Sequence, residues 1–104
     1  MRKHYWSGVC RKPRIPAIDE ITHTVDAYGI ILNATRFSDV SLSLMVEIPA
    51  GKTSDLYARL NQLMRMDGFD GQDDAAEGDS LVFLSVSFTD STGNLSIEVP
   101  DVPG

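Results

Sequence analysis

Cysteine is all but missing from this chain: Cys10 stands alone among 104 residues. One thiol excludes an intramolecular disulfide and a cysteine-ligated zinc centre, and it fits a reducing, cytoplasmic setting. Long apolar runs are missing too. No stretch approaches the roughly 20 residues of a membrane-spanning helix, so no membrane partner is expected. The opening MRKHYWSGVC has basic residues but not the apolar core of a secretory leader. The sequons at Asn33 and Asn94 then have no secretory context to act in and read as chance.

Basic residues run short after the first fourteen positions. Residues 1–14 carry Arg2, Lys3, Arg11, Lys12 and Arg14 with no acid, whereas the remaining ninety hold four basic and fifteen acidic side chains. An acidic body argues against nucleic acid as a partner, because backbone binding needs an extended basic face. It leaves room for one local anion site near the N-terminus.

What is present is an ordinary globular composition, 42% hydrophobic and 23% charged, at a length that suits one domain over residues 1–104. Residues 3–9 (KHYWSGV) read as a first strand, with Tyr5 and Trp6 on opposite faces. Prolines 13 and 16 then hold a loop extended. Ile15, Ile18, Ile21, Val25 and Tyr28 recur at spacings of three and four, which predicts a helix starting at Pro16, with acids in its first turn and Gly29 as its stop.

Residues 30–37 (IILNATRF) predict a second strand. Val40, Leu42, Leu44, Val46 and Ile48 alternate with Ser41, Ser43, Met45 and Glu47, a third strand with one buried and one polar face. The short turn between these strands predicts an antiparallel hairpin. Thr53 is placed to cap a second helix, with Asp55 in the first turn, an apolar stripe of Leu56, Leu60, Leu63 and Met64, and Gly68 as its end. Residues 67–79 hold six acids and three glycines and read as a solvated, mobile loop. Residues 81–88 (LVFLSVSF) predict a fourth strand, and Leu95, Ile97 and Val99 an extra C-terminal one.

The order β-α-β-β-α-β plus one strand predicts an α+β, ferredoxin-like βαββαβ sandwich: an antiparallel sheet with both helices on one face. The other face must meet water, a ligand or another subunit. Its expected occupants are Ser41, Ser43, Met45 and Glu47, with Ser85 and Ser87. Homodimerisation through that face or an edge strand follows as an expectation.

Over residues 3–88 the chain resembles the ACT domains, small ferredoxin-like modules that bind amino acids and regulate metabolic enzymes. The likeness rests on the element order, the proline-containing loop Lys12-Pro13-Arg14-Ile15-Pro16, the stripe Ile18, Ile21, Val25, and Gly29-Ile30-Ile31 leading into the second strand. The family's first loop carries an acid and a Pro-Gly pair; here its proline is kept as Pro13, and Arg14 stands where the glycine would be. The resemblance implies a non-catalytic, regulatory homo-oligomer that senses a small amino acid or another carboxylate.

The residues expected to hold such a ligand are Arg11, Lys12, Pro13, Arg14 and Ile15, because cations just before a helix N-terminus suit an anion. Other chemistry is poorly served. Gly51-Lys52-Thr53 follows Val46 rather than the glycine of a phosphate-binding loop, and the acidic loop lacks calcium-loop spacing. His4 and His23 have no third ligand at fixed spacing, so neither a metal nor another cofactor is expected. Arg11 or Arg14 with Asn33 resembles the arginine and asparagine of acylphosphatases, without their glycine-rich loop; this is the enzymatic alternative.

Overall fold

The computed structural model describes residues 2–38, 41–69 and 78–89. In chain order the elements are β1 (Arg2–Cys10), α1 (Arg14–Asp26), β2 (Ile30–Ser38), β3 (Ser41–Pro49), α2 (Thr53–Leu63), β4 (Arg65–Asp67) and β5 (Asp79–Phe88), with a 3₁₀ turn at Ala50–Lys52 leading into α2. They build an α+β fold: one five-stranded sheet in the order β2-β3-β5-β1-β4, with two helices. Neither helix is long and apolar enough to cross a membrane.

The sheet is mixed, which corrects the expectation of an antiparallel one. β2 and β3 form the expected antiparallel hairpin, and β3 pairs antiparallel with β5. β5, however, runs parallel to β1 from Arg2 opposite Ser80 to Cys10 opposite Phe88. The physical reason lies in β4, a three-residue strand that takes the edge beside β1 and leaves the other side of β1 to β5. The expected C-terminal strand at 95–99 and most of the acidic stretch, residues 70–77, lie outside the described residues.

Alternation decides which side chains are buried. His4, Trp6 and Cys10 of β1, Leu42, Leu44, Val46 and Ile48 of β3, and Val82, Leu84, Val86 and Phe88 of β5 all point to the covered face. Helix residues Ala17, Ile21, Val25, Leu56 and Leu60 close over them in one core. At about 1.5–3 kcal/mol per buried aliphatic side chain, the four β3 residues alone contribute substantially to stability.

Both helices depart in detail from expectation. α1 starts at Arg14, so Pro16 is its third residue and its first turn holds no acid. Ile15 is 71% exposed, and the buried stripe is Ala17, Ile21 and Val25, four residues apart, with Ile18 and Tyr28 packed beside it. In α2, Thr53 is the first helical residue rather than its cap; it is buried, and its hydroxyl donates to the Ala50 carbonyl at 3.2 Å. The chain leaves the helix at Met64, whose backbone is already extended.

Two glycines are demanded by space. A Cβ on Gly29 would stand 2.5 Å from the Glu47 carbonyl oxygen, so the turn from α1 into β2 can lie against β3 only without a side chain. Gly68, at φ +101°, ends β4 in a conformation that L-residues rarely adopt, and a Cβ there would stand 2.6 Å from the Tyr5 carbonyl oxygen.

Candidate functional site

Among the described residues, two surfaces have the chemistry to bind a partner or ligand. The first is the sheet face that the helices leave open. Strand register arranges its outward side chains in rows across the sheet. One row runs Asn33, Met45, Phe83, Tyr5, and the next runs Thr35, Ser43, Ser85, Ser7, Asp67. On the other side of the first row lie Ile30, Glu47, Leu81 and Lys3. The expected occupants Ser41, Ser43, Met45, Glu47, Ser85 and Ser87 therefore do share the open face, joined by two aromatics.

Those aromatics dominate it. The rings of Tyr5 and Phe83 stack at 5.0 Å with planes 9° apart, yet Tyr5 remains 66% exposed. Ile30 is 63% and Val9 40% exposed at the margins. Beside the stack lies a shallow depression of about 370 Å³ whose lining includes Tyr5, Met45 and Phe83 with Asn33, Thr35 and Ser43. From Asn33 to Tyr5, and from Thr35 to Ser7, no ionisable acid or base interrupts the surface. The row of Met45, Phe83 and Tyr5 is made of side chains enriched in the cores of protein contacts, where charge is depleted; serines such as those of the next row are not enriched there.

The second surface is a groove of about 600 Å³ beside the end of β1. Arg11, Lys12 and Arg65 line it with Asn61 and Gln62, above a floor that includes Met64. Three cations and two amides meet there with no carboxylate in the lining. Lys12 also reaches Glu20 at 3.0 Å, both side chains about half exposed, a pair worth roughly 0–1 kcal/mol and easily given up to a ligand. The Asn61 side-chain oxygen accepts the Met66 backbone N–H at 3.3 Å, which orients its amide.

Of the expected ligand residues, Arg11 and Lys12 line this groove, whereas Pro13, Arg14 and Ile15 are not among its lining residues. Pro13 is the residue before α1, its carbonyl accepting from Ala17 at 3.1 Å. Since Pro16 has no N–H, the first turn of α1 can offer only the amides of Arg14 and Ile15 to an anion. Arg65, Asn61 and Gln62 escape a sequence reading, because residues up to Gly68 fit a helix. The available signal is the alternation of Met64 and Met66 inside with Arg65 and Asp67 outside, a strand period.

Of the enzymatic alternative, Arg11 and Asn33 are not brought together: Arg11 lines the groove, and Asn33 lines the depression on the open face. His23 lies on exposed α1 surface, its Nδ1 3.5 Å from Asp19. Among the described residues no three His, Cys, Asp or Glu side chains come together to hold a metal ion. Cys10 is buried in the core. No family model matches the chain, and no curated protein and no solved structure matches it.

Proposed function

We propose that this chain is a non-catalytic binding module whose working surface is the open face of its sheet, and that it acts by engaging another protein surface there. The observation that carries the reading is the Tyr5–Phe83 stack, set with Met45 in a charge-free tract. Large aromatics held in place by neighbours, surrounded by small hydroxyls, supply contact area at little entropic cost. The reading extends to a cytoplasmic protein on a ferredoxin-like frame. Without β5 the order would be β2-β3-β1-β4 with antiparallel neighbours, the arrangement of two split βαβ units; β5 opens that frame in the middle.

Oxidative footprinting tests it whatever the partner is. Hydroxyl radicals label Tyr, Met and Phe side chains according to exposure. Inside the cells that make the protein, Tyr5, Met45 and Phe83 are expected to label several-fold less than in the dilute purified chain, with His23 on α1 labelled alike in both. Equal labelling of all four would remove the open face from consideration.

The groove favours a second reading, the one implied by the likeness to ACT domains: a regulatory module that senses an amino acid or another small carboxylate. Here the cations of Arg11, Lys12 and Arg65 would take the carboxylate and the amides of Asn61 and Gln62 the remaining polar groups. A ligand present at 100 times its dissociation constant adds about 2.7 kcal/mol to stability. A thermal-shift series with the common amino acids, citrate and inorganic phosphate should then raise the melting temperature of the wild-type chain. Arg65→Ala should abolish that rise. The absence of a shift with every compound would eliminate the sensor.

A further inference from the structure

The outward positions of the three central strands are arranged symmetrically about β5. From β3 through β5 to β1 the rows read Glu47, Leu81, Lys3, then Met45, Phe83, Tyr5, then Ser43, Ser85, Ser7. β5 is also the middle strand of the five. Positions one strand to either side of it therefore hold an acid and a base, a thioether and an aromatic ring, and two serines. Each is a pair that attracts or tolerates its counterpart.

From this pattern we infer that the open face binds a second copy of the chain, face to face, about a two-fold axis running along β5. The inference rests on the reading of the open face as an association surface and names its partner. Such an axis lays β1 of one copy over β3 of the other, row on row. Lys3 then meets Glu47 of the partner subunit, twice per dimer. Tyr5 meets Met45 of the partner subunit, a sulfur–aromatic contact, and Ser7 meets Ser43 of the partner subunit. Leu81, Phe83 and Ser85 lie on the axis and meet themselves, as a self-complementary interface requires.

Charge decides for this axis and for this partner. A two-fold across the strands would lay β1 over β1, and no acid on the outward side of β1 would then answer Lys3. The whole chain carries a net charge of −6, so two copies repel wherever their acidic surfaces meet. On the three central strands these rows instead hold one acid and one base and balance to zero, with Asp67 at the β4 margin of the serine row. Asp79, one row further out at the end of β5, is exposed, and at that rim a like pair is screened by salt. The strand itself calls for cover: β5 is apolar on both sides over Leu81–Leu84, with Leu81 and Phe83 outward and Val82 and Leu84 inward, as strands covered on both faces are.

Sedimentation equilibrium of the full chain at about 0.15 M salt, where the Asp79 pair is screened, tests this, with wild type, Lys3→Glu, Glu47→Lys, the double reversal and Ser85→Arg. Wild type is expected to be a dimer. Each single reversal should weaken it about tenfold, since two attractive pairs become repulsive, and the double reversal should restore it. Ser85 is exposed, so Ser85→Arg keeps the monomer fold, checked by circular dichroism, while placing two guanidinium groups on the axis. It should leave monomers. A dimer lost in Ser85→Arg but indifferent to the reversals would overturn the axis and keep the face. A dimer that survives Ser85→Arg would overturn both. A wild-type chain that is monomeric at hundred-micromolar concentration would overturn the second copy as partner, and the footprinting of Tyr5, Met45 and Phe83 would then decide the face alone.

Discussion

Trp6→Ala is expected to cost about 3–5 kcal/mol, which is a large share of the roughly 5–15 kcal/mol that holds a domain folded. Trp6 is 2% exposed. Its ring meets Tyr57 of α2 edge-on at 5.1 Å, Phe69 after β4 at 6.5 Å and His4 at 6.0 Å, and Tyr57 meets Phe69 at 4.8 Å. One indole thus joins the strand β1, the helix α2 and the segment that follows β4. Its removal leaves a cavity between three elements that cannot collapse together. Urea denaturation followed by circular dichroism should show the midpoint falling steeply, with the variant partly unfolded in water as the extreme result.

The neighbouring positions make that prediction selective. Among the described residues the Trp6 indole N–H finds no hydrogen-bond acceptor. Trp6→Phe discards that buried donor along with some area, so it should cost less than half as much as Trp6→Ala. Tyr5→Ala, one residue away on the open face, gives up only a cross-strand ring pair worth about 0.2–1 kcal/mol. A chain in which Tyr5→Ala hurt stability as much as Trp6→Ala would have its faces assigned the wrong way round.

Much of this architecture is legible in the sequence because the physics behind it is local. The β3 segment must be a strand with Leu42, Leu44, Val46 and Ile48 inside, since only a period of two puts all four on one face. Tyr5 and Trp6 are adjacent in a strand and have to part. Ile15 misleads because its spacing to Ile18 fits a helical stripe, while the core is reached by Ala17, Ile21 and Val25; a small alanine carries little weight in a pattern of large aliphatics. The end of α2 comes earlier than the sequence pattern suggests, at Met64 rather than Gly68. A three-residue strand gives too few alternations to be told from a last helical turn, and with β4 hidden, the edge beside β1 goes to the wrong strand. The position of β5 is partly signalled by apolar residues on both its sides. Its parallel pairing with β1 is not, because pairing between segments some eighty residues apart depends on where the rest of the chain goes.

The candidate surfaces divide in the same way. The open face is accessible from alternation alone, down to Ser43, Met45 and Ser85. What alternation cannot supply is register, and register is what sets Phe83 beside Tyr5 and Glu47 in the row of Lys3. The groove needs tertiary structure outright, because Arg11 and Arg65 are fifty-four positions apart and meet only when β4 pairs with β1.

Cross-linking through a thiol placed on β5 decides whether two copies meet face to face about that strand. Ser85 is small, exposed and the middle residue of a serine row, so Ser85→Cys changes the surface little and puts a thiol where each copy faces itself. The single native thiol, Cys10, is buried and makes the wild-type chain a silent control. Ala58→Cys, on the exposed side of α2, provides an equally reactive thiol away from the face. A short bis-maleimide added at micromolar protein should convert most of Ser85→Cys to covalent dimer, leaving Ala58→Cys and wild type as monomers. If Ser85→Cys stays monomeric, or cross-links no better than Ala58→Cys, the two copies do not meet across β5 and the proposed dimer is wrong.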